Sequence, residues 1–94
     1  MNKMDKKYEN LRSKTIFDFT NDEKVLKKVF EEMFFDDYRK NPVEFVNDYI
    51  ESWTEYAKMF DIVLYSAHTN NKELYDLMKS EFFDEYPKLF DFEF

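Results

Sequence analysis

Three short strings constrain the fold more than anything else in this chain: TNDE at 20–23, NPVE at 41–44 and NNKE at 70–73. Each sets a short polar side chain before an acid three residues on. The first can accept a hydrogen bond from the free amides of a helix start, and the second can answer back to the cap. Thr20 with Glu23, Asn41 with Glu44 and Asn70 with Glu73 are the pairs. Pro42 adds a pre-set φ at the first helical position. Such starts predict an all-α fold: one small bundle of three capped helices over about 21–38, 42–67 and 71–85.

Apolar periodicity fills in the helices. The first carries Val25, Leu26, Val29, Phe30, Met33 and Phe34 on one stripe. The second continues through Val46, Tyr49, Ile50, Trp53, Tyr56, Ala57, Phe60, Leu64 and Ala67 at steps of three and four, so one long helix with a buried Trp53 is expected. The third turns Leu74, Leu77, Met78 and Phe82 inward, and Pro87 disfavours helical geometry at Tyr86. Met4, Tyr8 and Leu11 have helical spacing, so residues 1–14 are expected as a short helix or arm. TIFDFT at 15–20 and the C-terminal LFDFEF are expected to lie extended, covering the bundle with phenylalanine.

A chain of 94 residues makes a single domain, burying roughly 60–70% of its unfolded surface. Twelve Phe, seven Tyr and one Trp exceed what such a core holds, which places some aromatics outside, where a partner would cover them. The net charge of −7 is uneven. Lys3, Lys6, Lys7, Arg12 and Lys14 against Asp5 and Glu9 make residues 1–14 net +3, leaving −10 on the rest. That balance excludes broad phosphate binding by the body and favours basic partners. The basic segment is expected to fold back on the chain's own acids.

Absent residues exclude chemistry. Without cysteine there is no disulfide, zinc–thiolate site or thiol nucleophile. Without glycine there is no phosphate-binding loop, dinucleotide fingerprint or EF-hand. His68 is the single histidine and belongs at a helix C-terminus, where its charge complements the dipole. No Glu-x-x-His motif or serine triad can be assembled around it. The expectation is a non-enzyme with no cofactor and no metal. No apolar segment is long enough for a signal peptide or a membrane span, so a cytoplasmic protein is expected.

One feature asks for a functional account. Glu44, Asp48, Glu51 and Glu55 fall in one helical row with no lysine between them, although like charges at this spacing cost stability. Further acids join it: Glu31 and Glu32, and the pairs Asp36–Asp37 in FFDDY and Asp84–Glu85 in FFDEY, which fall at helix C-termini and oppose the dipole. A regular row of carboxylates resembles the phosphate array of a nucleic acid in charge and spacing. Phe35, Tyr65 and Phe83 beside it are candidate anchors. The expectation is a small acidic inhibitor that mimics nucleic acid and blocks a basic, nucleic-acid-handling protein. A codon bias against Gly, Ala, Pro and Arg suits a phage origin, and with it an anti-CRISPR or anti-restriction role. The alternatives are a homodimeric regulatory module and a bacteriocin-type immunity protein.

Overall fold

The computed structural model describes residues 8–91, with the side chain of Glu32 excepted. Residues 1–7, the first half of the expected basic arm, and residues 92–94 of the phenylalanine-rich end lie outside the described residues. The fold is all-helical, and no strand occurs among the described residues. Among the described residues four α-helices follow in order: α1 Glu23–Lys40, α2 Pro42–Ser52, α3 Glu55–His68 and α4 Lys72–Phe82. Short 3-10 turns cover Leu11–Ser13, Ile16–Asp18 and Pro87–Phe90.

The start of α2 follows its sequence signal. Asn41 Oδ1 accepts from the Glu44 amide at 3.2 Å, its side-chain amide donates to Glu44 Oε2 at 3.0 Å, and Pro42 opens the helix. The other two caps shift. Asp22, not Thr20, accepts from the Lys24 amide at 2.9 Å, while Thr20 Oγ1 accepts from the Asp22 amide. An aspartate there also sits favourably on the positive end of the helix dipole. Asn70, expected to cap α4, instead takes a left-handed conformation (φ 55°) and closes α3. The Asn71 amide reaches back to Ser66 O at 2.8 Å and the Asn70 amide to Ala67 O at 3.2 Å, a Schellman pairing. This slot usually takes glycine, and in a glycine-free chain asparagine is the next best occupant. Asn71 then caps α4 through the Leu74 amide.

The expected long helix over 42–67 is broken. Trp53 and Thr54 are both extended (ψ 148° and 157°), and Thr54 Oγ1 accepts from the Ala57 amide to start α3 afresh. Ser, Trp and Thr are indifferent helix formers, so the capping bond of Thr54 outweighs continuation of the period. A second departure lies inside α1. Glu31 adopts φ 60° and ψ 174°, which kinks the helix and advances its phase. Beyond the kink Phe35 turns inward, 8% exposed, whereas Met33 and Phe34 from the expected stripe stand 71% and 41% exposed.

The core has two parts. Tyr8, Leu11, the inner faces of α3 and α4, Leu89 and Phe90 form one. Ile16, Leu26, Val29, Phe30, Phe35 and Tyr49 form the other, with Phe17, Phe45 and Trp53 packed against it. Of the two segments expected to be extended, TIFDFT instead holds the 3-10 turn Ile16–Asp18, and Leu89 and Phe90 at the described start of LFDFEF belong to the 3-10 turn Pro87–Phe90. Thr15 and Asp18 cap each other reciprocally, which drives Ile16 into the α1–α2 part. Pro87–Phe90 carries Leu89 and Phe90 into the α3–α4 part. No described helix is long and apolar enough to cross a membrane.

Candidate functional site

The break before α3 and the kink in α1 together open a groove. The second half of α1 and the start of α2 meet at Asn41, and the phase advance brings Phe34 to face Trp53, with ring centroids 5.5 Å apart and nearly perpendicular. Phe45 and Trp53, 6.0 Å apart, line the same groove of about 480 Å³. Asp37 from α1 and Glu44 and Asp48 from α2 also line it, with Lys40 as the one cation among the lining residues. Aromatic surface bordered by carboxylates suits a cation with an apolar stem, since ring faces attract cations and the acids supply the opposing charge.

The predicted acids are dispersed over the molecule. Asp37, Glu44 and Asp48 converge on the groove. Glu51 is exposed on α2 away from the groove lining, and Asp36 pairs with Arg39 at 3.5 Å. Glu55 leaves the row altogether, because it belongs to α3. Arg12 Nη1 donates to Glu55 at 2.6 Å and Arg12 Nη2 to Glu85 at 2.7 Å, with the guanidinium 4.9 Å from the centre of the Phe82 ring. The Tyr86 hydroxyl also donates to Glu55, at 2.7 Å. Arg12's hydrogen bond holds the Glu85 carboxyl below its ordinary range, and the bond to Glu55 chiefly pushes the Tyr86 hydroxyl up to about 12. Glu55 and Glu85 are thus engaged within the molecule by the basic segment. Asp84 is exposed in the turn after α4, Glu31 occupies the α1 kink, and the Glu32 side chain lies outside the described residues.

The predicted aromatic anchors are redistributed as well. Phe35 is a core residue against Tyr38, so it offers no anchor to a partner. Tyr65 is half-buried and stacks on Phe19 at 5.8 Å. Phe83 is exposed, with Lys79 over its ring at 5.8 Å. Phe34 and Trp53, assigned to the core by periodicity, line the groove together with Phe45, and Trp53 is half-buried, not fully buried.

Across the Phe34–Trp53 pair lies a second cavity of about 380 Å³ between α1 and α3. Asp61 lines it, and the Tyr49 hydroxyl donates to Asp61 Oδ2. Burial pushes the Asp61 carboxyl up to about 7, against the opposing effect of that hydrogen bond; burial and the Asp61 charge together raise Tyr49, which remains the proton donor. The sequence carried a signal for this residue. Asp61 is four residues after Ala57 and three before Leu64, which puts an acid on the apolar stripe of α3.

Comparison with protein-family models, with curated proteins and with solved structures returned no match.

Proposed function

We propose that this protein is a non-enzymatic acidic inhibitor that binds a basic, nucleic-acid-handling protein, in the manner of a phage anti-restriction or anti-CRISPR factor. The observation that carries the reading is the convergence of Asp37, Glu44 and Asp48 on one aromatic groove. Carboxylates four residues apart on α2 stand about 6 Å apart along the helix axis, and Asp37 adds a charge from the neighbouring helix. A surface that holds phosphates with lysine and arginine meets a comparable array here, while Phe34 and Trp53 supply apolar contact that charge alone lacks.

The test compares affinity capture from cell extract on the wild type and on Asp37→Asn/Glu44→Gln/Asp48→Asn, which keeps side-chain size and removes charge. A basic nucleic-acid-binding protein should be retained by the wild type, released by duplex DNA or by raised salt, and inhibited at least tenfold less well by the variant. Equal retention and equal inhibition by the two would refute the reading. A homodimeric module, the second reading, is favoured by Val43 and Ile50 standing 72% and 50% exposed on α2 and Met33 71% exposed on α1. It requires a light-scattering mass of twice the monomer, and a monomer at all accessible concentrations rules it out.

A further inference from the structure

Asp61 is the only charged residue buried among the described residues. The cavity it lines is otherwise walled largely by carbon, with Val29, Phe30, Phe60 and Leu64 among its residues. Lys28, His68 and the exposed Glu31 line the same cavity, yet neither Lys28 nor His68 forms an ion pair with Asp61. A carboxylate in such surroundings keeps its charge only beside a cation; otherwise it takes up a proton. Tyr49 gives it one hydrogen bond and no charge. Phe34 and Trp53 line this cavity and the acidic groove alike, so a chain seated in the groove has a basic side chain's reach to both.

We infer that the α1–α3 cavity receives an arginine side chain of the basic partner, its guanidinium on Asp61 and its methylene stem along Leu64 and Val29. The inference rests on the proposed function and names where that partner is anchored. Arginine suits the cavity better than lysine. Its planar, weakly hydrated head stacks on aromatic rings such as Phe60 and Trp53 and bonds a carboxylate through two donors. A desolvated arginine against a buried acid is also the kind of contact that dominates binding energy.

The probe is n-butylguanidinium, with the uncharged n-butylurea as control, titrated into the full-length protein at pH 8. Emission from Trp53, the chain's single tryptophan, and amide NMR shifts are the readouts. Saturable binding of the guanidinium is expected, with shifts centred on Asp61, Tyr49 and Leu64, and at least tenfold weaker binding of the urea. Asp61→Asn, which keeps an oxygen for Tyr49, should weaken guanidinium binding at least tenfold. Because Trp53 also borders the groove, the shifts at Asp61, Tyr49 and Leu64 assign the site, and these should persist in the groove triple variant. Shifts confined to the groove, equal affinity for Asp61→Asn, or no saturable binding each overturn the inference. Should Asp61→Asn not fold, the wild-type shift map decides alone. A partner captured by the wild type and lost by the triple variant, but held equally by Asp61→Asn, would leave the proposed function standing and remove this anchor.

Discussion

Tyr49→Ala is expected to leave little folded protein. Tyr49 is fully buried, its ring lies 4.5 Å from Trp53 and 5.2 Å edge-on to Phe17, and its hydroxyl is the one donor to Asp61. Truncating a core aromatic costs about 3–5 kcal/mol. Leaving a buried carboxyl without its donor adds about 1–3 kcal/mol. Against a total stability of about 5–14 kcal/mol for a chain of this length, the sum removes most of what holds the α1–α2 part together. Urea unfolding followed by circular dichroism measures it, and Tyr49→Phe separates the hydroxyl's share from the ring's. A loss under about 1 kcal/mol for Tyr49→Ala would mean that α2 does not pack on α1 through this ring.

Asp61→Asn should stabilise the protein at alkaline pH and make almost no difference in acid. The folded chain holds the Asp61 proton up to about pH 7, while an unburied aspartate releases it near 3.8. Between those values the native state binds a proton that the unfolded state has lost, so this residue makes stability fall as pH rises from about 4 to about 7. At about 1.4 kcal/mol per pH unit the full effect reaches roughly 4 kcal/mol, an upper bound. Asparagine carries no charge to bury, so the gap between variant and wild type should open across that window and level off above it. Lys28 and Glu31 from α1, Tyr49 from α2 and His68 from α3 border the same cavity or bond to Asp61, and all remain in both proteins. Urea midpoints at pH 4, 6 and 8 give the profile. Parallel profiles for the two proteins would show Asp61 to be charged and solvated in the native state.

Much of the helical architecture was legible because it is written in local chemistry. Asn41, Pro42 and Glu44 specify a helix start in any context, and the structure keeps that start unchanged. Thr54 was equally legible as a cap, but an unbroken apolar period masked it. Steps of three and four continue across Trp53 whether or not the backbone does. Glu31 carried no signal at all. A glutamate is a good helix former, and its left-handed φ costs of the order of 1–3 kcal/mol that only the surrounding packing can offset. Because that one residue sets the phase of the rest of α1, the stripe read from the sequence failed beyond it, exchanging Phe35 for Met33 and Phe34. The acidic row failed for the same kind of reason. Its four members are collinear only on a continuous helix; Glu44, Asp48 and Glu51 keep the row on α2, Glu55 leaves it for α3, and Glu44 and Asp48 share the groove with Asp37.

The division of the core has a consequence for motion. The α1–α2 part and the α3–α4 part are bridged by α3, which packs against both α1 and α4. Such a molecule opens by sections, each with its own free energy, and the section that stores backbone strain opens first. Amide exchange should therefore be faster along α1 and α2 than along α3 and α4, and the lower limit on exchange should be set by the second pair. Uniform protection across all four helices would instead mark one cooperative unit. If the sections do open separately, the walls of both cavities part while Met59, Ile62, Leu74 and Met78 stay packed. A partner would then meet a surface that yields on one side and is held rigid from behind.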